Sequence, residues 1–295
     1  MYEKFYGFHE KPFALTPDPK FFYYSKDHIE AIEHLIYGIL EGEGFLMLAG
    51  EVGAGKTTIS RYLINKLESR VVTSLILNPF LDFFSLLQSI LRDFGMIPMG
   101  ETKPELIDQL KDYLINDIGS KGKTALIIID EAQDLAEETM EELRVISNIE
   151  TDKEKLLQIL LVGQEELIQK LEQKELRQLN QRISVRYFLN SLQCGEIIEY
   201  IQYRLKIGDP QKPVKFTRAA AKKIYSFSRG VPRKVNMLAN RALISGFVCE
   251  SLTINKKMVK RAQASLFGEK YNQIRKKGRQ GRSFFRRRQS DEFNL

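Results

Sequence analysis

The chain has 295 residues, 43% of them hydrophobic and 28% charged, with a formal net charge of +7. That is enough for one large domain or two modest ones with proper cores, and the composition is that of a soluble globular protein. No apolar run approaches the roughly twenty residues of a membrane span, and the opening Met-Tyr-Glu-Lys-Phe-Tyr lacks the charged-then-apolar layout of a signal peptide.

The charge is uneven along the chain. Residues 267–295 hold nine Lys/Arg against three Asp/Glu, which leaves 36 basic and 35 acidic residues in the preceding body. On that count the basic character belongs to the tail and gives no argument that the folded body binds nucleic acid. Cys194 and Cys249 are expected to be reduced, buried thiols of a cytoplasmic protein. His9, His28 and His34 have no metal-ligand spacing and receive no chemistry.

Residues 1–43 open with an aromatic, proline-rich stretch (Phe5, Tyr6, Phe8, Phe13, Phe21, Phe22, Tyr23 and Tyr24 among Pro12, Pro17 and Pro19). Prolines at this density forbid a continuous helix, and so many aromatics are expected to pack on the body. Two readings stand: one wall of an adenine site, or an arm that fills a groove. Ser25 can cap a helix over 26–41, whose apolar residues recur at helical spacing.

Phe45 to Ala49 has the length and composition of a buried strand. It runs into Gly50-Glu51-Val52-Gly53-Ala54-Gly55-Lys56-Thr57-Thr58 and then a helix over 56–67. This is the P-loop pattern in the context its mechanism needs. Gly50, Gly53 and Gly55 let successive N–H groups turn inward as an anion nest, and the helix N-terminus adds to the field. Lys56 is then a charge for the β- and γ-phosphates of ATP, and the Thr57 hydroxyl a Mg²⁺ ligand.

Val71–Leu77 reads as a strand. Helices are expected from Asp82 to about Phe94 and over 104–116. Ala125 to Ile129, five apolar residues, suits a strand buried on both faces and ends in Asp130-Glu131. Asp130 can hold the Mg²⁺ shell beside Thr57, and Glu131 can orient the attacking water. A helix over 135–148 and a strand over 156–163 follow. Gln164 ends that strand, where its side chain can reach the γ-phosphate or water, or simply cap the helix 165–171. A helix over 175–182 and a short strand over 185–189 complete the alternation.

Five strands alternating with helices imply an α/β parallel sheet covered on both faces, residues 44–190. From Ser191 the strands stop, and helices over 193–206, 217–228, 231–248 and 255–267 make a smaller all-helical domain, residues 191–267. The tail, 268–295, sets Arg275, Lys276, Lys277, Arg279, Arg282, Arg286, Arg287 and Arg288 around Phe284-Phe285. Three readings stand for it: a disordered extension, an anionic membrane surface, or nucleic-acid phosphate.

These residues resemble the AAA+ ATPases of the ExeA/GspA type, associated with bacterial general secretion. The resemblance covers residues 5 to about 266. It is carried by the opening Phe-Tyr-Gly-Phe…Lys-Pro-Phe…Thr-Pro-Asp-Pro, the P-loop, Ile-Ile-Ile-Asp-Glu-Ala-Gln, Leu-Leu-Val-Gly-Gln, Leu-Asn-Gln-Arg-Ile and Ser-Arg-Gly-Val-Pro-Arg-Lys-Val-Asn. It implies a Mg²⁺-dependent ATPase whose helical domain is a lid, with Arg233 as the lid arginine and Gln164 as the sensor on the sheet. It further implies a homo-oligomer with an arginine finger from the neighbouring subunit, best matched by Arg182, with Arg186 or Arg177 possible. Larger members continue into a membrane helix and a wall-binding region; this chain ends instead, and those roles do not carry over. The expected setting is a cytoplasmic motor or switch serving an envelope secretion or export system, peripheral to the inner membrane. A DNA-associated ATPase of the transposition-regulator or origin-recognition kind is the alternative.

Overall fold

A computed structural model describes residues 1–16, 18–150 and 155–266. In chain order the elements are α1 (Tyr2–Tyr6), α2 (Lys26–Leu40), β1 (Phe45–Gly50), α3 (Lys56–Leu67), β2 (Val71–Ile76), α4 (Phe83–Asp93), α5 (Lys103–Tyr113), β3 (Thr124–Ile129) and α6 (Glu137–Ile146). There follow β4 (Leu157–Gly163), α7 (Glu165–Leu171), α8 (Arg177–Arg182), β5 (Ile183–Leu189), α9 (Glu196–Ile207), β6 (Lys215–Phe216), α10 (Arg218–Ser228), α11 (Pro232–Val248), β7 (Thr253–Ile254) and a helix over 256–266. They form two compact units, residues 17–192 and residues 1–16 with 193 onward.

The first unit is a five-stranded sheet in the order β2-β3-β4-β1-β5, every neighbouring pair parallel. This is the sheet that the strand–helix alternation predicts. The central strands β1 and β4 are buried at every position, which is why β1 is an unbroken apolar run and β4 one interrupted only by Gln158, whose amide donates to the Ile39 carbonyl at 3.0 Å. Odd and even positions serve different faces. Phe45, Met47, Ile127 and Ile129 pack with α4 to α7, whereas Leu46, Leu48, Leu126 and Ile128 pack with α2 and α3. Each such side chain contributes roughly 1.5–3 kcal/mol on burial. Close approach of α2 to the sheet needs Gly38, where a Cβ would lie 2.7 Å from Val185 Cγ2 and 2.8 Å from Leu46 Cδ2. Ser25 caps α2 as expected, and Asp82 caps α4 by accepting from the Ser85 N–H at 2.7 Å.

The second unit is helical with one addition. β6 and β7 pair in parallel over two residues each, so the strands do not stop at Ser191 as the sequence suggests. Two-residue strands are too short to leave an alternating pattern, which is why periodicity misses them.

Residues 1–43, expected to pack on the core as one segment, are divided between the units at Thr16/Pro17. The reason is hydrogen bonding as well as burial. Tyr6, fully buried, donates its hydroxyl to the Leu243 and Ser251 carbonyls, both at 3.1 Å. Arg204 Nε donates to the Pro12 carbonyl at 2.6 Å, and Phe13 meets Phe216 edge-on. Phe21 and Phe22 instead belong to the sheet unit, with Phe22 stacked on Tyr62 of α3.

Two further expectations are corrected. Cys194 and Cys249 are exposed, not buried; each sits at a helix boundary instead of on an apolar face. The near-neutral body also conceals a division. Residues 17–192 hold 19 Lys/Arg against 29 Asp/Glu, a net −10, so the rest of the chain carries the opposite charge. The segment 268–295 lies outside the described residues. No helix among the described residues is long and apolar enough to cross a membrane.

Candidate functional site

Because β1, β3 and β4 are parallel, their C-terminal ends share one edge of the sheet. Ala49 pairs with Gly163 and Ile129 with Leu161, so Gly50, Asp130 and Gln164 leave the sheet side by side. Ligands of open parallel sheets bind at this edge.

The P-loop spans β1 and α3. A Cβ at Gly50 would lie 2.6 Å from the Leu189 carbonyl oxygen. Gly55, at φ +118°, would put one 2.9 Å from His28 Nε2. Only glycine fits both positions. His28, to which the sequence assigns no chemistry, is buried beneath the loop with Nε2 3.1 Å from the Ala54 carbonyl and Nδ1 2.5 Å from Ser25 Oγ. A carbonyl only accepts, so Nε2 carries a proton, and in the neutral imidazole Nδ1 then accepts from Ser25. Glu51 is tied to the end of β5 by Ser191 Oγ, which donates to its carboxylate at 3.0 Å. No side chain caps α3, which leaves its first N–H groups directed at the loop.

Lys56 is 6% exposed and donates from Nζ to the Gly50 and Glu51 carbonyls at 2.8 and 3.1 Å. Burial holds its pKa below the usual lysine range, against the opposing pull of Glu131, Asp130 and Glu166. Thr57 Oγ1 donates to Asp130 Oδ2 at 2.6 Å. Burial raises the Asp130 carboxyl above its usual range, although the Thr57 hydroxyl and the Glu131 N–H both oppose this. A hydroxyl and a carboxylate meeting at this distance, with the carboxylate costly to ionise alone, suit a hard divalent cation. No group of three or more His, Cys, Asp or Glu among the described residues could hold a metal unaided.

Glu131 follows β3 in the left-handed conformation, φ +53°, which turns its side chain back toward β4. Its Oε2 accepts from both Gln133 Nε2 and Gln164 Nε2 at 2.9 Å. Burial alone would raise the Glu131 carboxyl; the two amides, with Lys56, reverse this and hold it below its usual range. Gln164 stands at the N-cap position of α7 but makes no side-chain cap. Its amide is instead engaged by Glu131.

Gln133 is the residue that sequence reasoning misses. While its Nε2 binds Glu131, its Oε1 accepts from the Gln164 backbone N–H at 3.1 Å, so one amide ties the Asp-Glu loop to the end of β4. Gly163 makes room for it, since a Cβ there would sit 2.9 Å from Gln133 Oε1. Lys170 of α7 secures the same loop, donating to the Gln133 carbonyl at 3.1 Å and also to that of Leu135. The only sequence signal was the position of Gln133, two residues beyond Glu131.

The arginines lie elsewhere. Arg182 donates to the Arg144 carbonyl at 3.2 Å and to Asn148 Oδ1 at 2.6 Å at the end of α6. Arg186 donates to the Asn180 and Ile183 carbonyls. Arg177, exposed at the start of α8, has no side-chain hydrogen bond or ion pair among the described residues. Arg233 is exposed in the first turn of α11, in the helical unit.

A parallel sheet with a glycine-lined loop on its first strand and an Asp-Glu pair on its third defines a P-loop NTPase. Residues 39–171 match the family model of an AAA domain. The chain is 41% identical over 248 residues to General secretion pathway protein A of Aeromonas hydrophila, covering 84% of this chain and 45% of that protein. The chain therefore spans less than half the length of that curated relative. Solved structures agree on the fold. The ORC2 protein of Aeropyrum pernix, solved as ADPNP–ADP complexes, superposes with a TM-score of 0.61 at 18% identity, over 80% of this chain and 66% of that one. Cdc6p of Pyrobaculum aerophilum gives 0.63 at 15% identity, over 85% and 69%. The Thermotoga maritima RuvB branch migration motor gives 0.51 at 19% identity, over 83% and 70%. Residues 39–171 are thus similar to an AAA domain, and the chain is similar to General secretion pathway protein A over the part of that protein it spans.

Proposed function

We propose that this protein is a Mg²⁺-dependent ATPase that works as a homo-oligomeric motor or switch for a bacterial envelope secretion or export system. The observation that carries the reading is the hydrogen bond of 2.6 Å between Thr57 of the P-loop and Asp130 of β3, residues 73 apart in sequence. It supports the reading by joining the P-loop to the end of β3 at one sheet edge.

In this reading the N–H groups of residues 50–58 and the N-terminus of α3 cradle the phosphates of ATP. Lys56 exchanges its two carbonyl contacts for phosphate oxygens, which relieves the burial of its charge. Thr57 and Asp130 would hold Mg²⁺, which when bound neutralises charge on the β- and γ-phosphate oxygens. Glu131 orients the water. Both amides bind its Oε2, which leaves Oε1 to accept from the nucleophile. Gln164 fixes that geometry from β4, and Gln133 supports it from within the Asp-Glu loop.

Arg233 is read as the lid arginine and one arginine of the neighbouring subunit as the finger, since a guanidinium spreads charge over several phosphate oxygens. Arg182 is the best sequence match for the finger, but it would have to leave its contacts at the end of α6. Arg177 is free to reach outward. The secretion setting, and a place on the cytoplasmic face of the inner membrane, follow from the relative and not from the site. The test is ATP turnover in three chains. Lys56→Ala should lose nucleotide binding, and Glu131→Gln should bind ATP and stall. Undiminished turnover in Glu131→Gln would remove Glu131 from the mechanism.

A further inference from the structure

Two buried side chains of α2 and its cap, His28 and Ser25, hold the P-loop from beneath. Ser25 is the N-cap of α2 and His28 the third residue of the helix, a spacing that brings the two side chains together. The Ser25 hydroxyl accepts from the His28 backbone N–H at 3.3 Å and lies 2.5 Å from Nδ1. A hydroxyl carries one proton and two lone pairs. The same group therefore caps the helix and, with the imidazole neutral, donates to Nδ1. The ring proton is then on Nε2, which donates to the Ala54 carbonyl at 3.1 Å. Phe22 packs edge-on against the ring, with centroids 5.3 Å apart.

This contact decides what the same peptide presents on its other side. The 54–55 peptide is trans, and in a trans peptide the C=O and N–H point opposite ways. With the carbonyl held on His28, the Gly55 N–H is directed away from the imidazole. It donates to no acceptor among the described residues, and it immediately precedes α3, whose first N–H groups have no side-chain cap.

The loop sequence does not choose this orientation. Gly55 sits at φ +118°, and glycine takes either sign of φ at little cost. Rotation of the 54–55 peptide therefore meets little local resistance. A flipped peptide would turn the Ala54 carbonyl toward the anion nest, where its negative end opposes phosphate. Removing His28 would also leave the buried Ala54 carbonyl without its partner, which favours the flip. A glutamate at the third helical position could likewise reach back to the cap, but it would bring a negative charge beneath the phosphates. A neutral imidazole supplies a donor without one.

We propose that His28 is a positioning residue for phosphate binding. Its Nε2–H fixes the 54–55 peptide with the Gly55 N–H turned toward the nest, and Ser25 sets the tautomer that can do so. This rests on the ATPase reading above and deepens it by naming what holds the nest in its binding form.

The experiment is titration calorimetry of two probes, ADP and inorganic tripolyphosphate, with magnesium, at a temperature well below melting. His28→Gln places an amide nitrogen where Nε2 stands and should bind both probes nearly as the parent does. His28→Asn carries the same amide on a shorter stem that cannot reach Ala54, and should bind both about tenfold more weakly. His28→Leu should match His28→Asn. In ATP turnover KM should rise by the same factor with kcat little changed, because the nest holds substrate and transition state alike. Ser25→Ala should weaken binding by less, and S25A/H28N should bind no more weakly than H28N, since Ser25 acts through His28. Ligand-free thermal melts of every variant separate lost stability from lost affinity.

Equal affinities in His28→Gln and His28→Asn, with lowered melting temperatures in both, would make His28 a packing residue and overturn the proposal. Weakened ADP binding with unchanged tripolyphosphate binding would move its effect to the base and overturn it as well. So would fully additive affinity losses in S25A/H28N. A parent chain that binds neither probe would overturn the ATPase reading together with this one, whereas parent binding without the difference between glutamine and asparagine would overturn this one alone.

Discussion

Replacing Gln133 by leucine keeps the side-chain size and removes both ends of the amide that joins Glu131 to the end of β4. A hydrogen bond to a carboxylate contributes about 1.5–3 kcal/mol. Glu131 is half-buried, so solvent weakens the bond and the lower figure applies. About 1.5 kcal/mol corresponds to roughly tenfold in rate. Loss of the other contact, from the Gln164 N–H to Gln133 Oε1, falls on stability at about 1 kcal/mol. The expected result is a kcat about tenfold lower, with little change in nucleotide affinity.

The sign with pH follows from the same bond. Donation by Gln133 favours the ionised carboxylate, so its removal raises the Glu131 pKa and moves the acid limb of kcat to higher pH. Near neutral pH Glu131 is still ionised, and the loss there is one of orientation. Gly163→Ala should act by the same route, because its Cβ would displace Gln133 Oε1 and Leu167. The double variant should then lose little more than either single one. The assay is phosphate release at saturating ATP, with a thermal melt of each variant. Full kcat in Gln133→Leu, or strictly additive losses, would refute the clamp.

Other expectations follow from single contacts. Burial raises the Asp130 carboxyl, so its ionisation opposes folding; stability present at low pH is lost as pH rises through the raised pKa. Asp130→Asn should therefore raise the melting temperature of the nucleotide-free protein at neutral pH, and a lower one would contradict that sign. Arg182→Ala removes a cation from the C-terminal end of α6 and should cost a few tenths of a kcal/mol; Arg177→Ala should leave stability unchanged. If Arg177 is the finger, only its variant lowers turnover at concentrations where the protein is assembled. Tyr6→Ala empties a fully buried position and should destabilise the helical unit by about 3–5 kcal/mol, read as earlier melting and protease cleavage after Gln193.

The sheet was legible because its inner strands are buried on both faces, so Ala125–Ile129 reads as an unbroken apolar run and Leu157–Gly163 as one interrupted only by Gln158. The P-loop and Asp130-Glu131 were legible because local spacing fixes what they can do. What escaped depends on contacts distant in sequence. His28 matters through Ala54 and Gln133 through Gln164, and neither pairing leaves a periodic trace. The charge division escaped because a whole-body count sums units of opposite sign that interleave in the chain, residues 1–16 belonging with those beyond 192.

The central claim is that the P-loop and the Asp-Glu pair serve a single Mg²⁺-bound triphosphate. Titration calorimetry of ATP, with and without magnesium, into the parent chain and Asp130→Asn tests it most directly. The parent should bind ATP more tightly when magnesium is present, and Asp130→Asn should bind ATP with that gain removed. No heat of binding in the parent, or an undiminished magnesium gain in the variant, would contradict it.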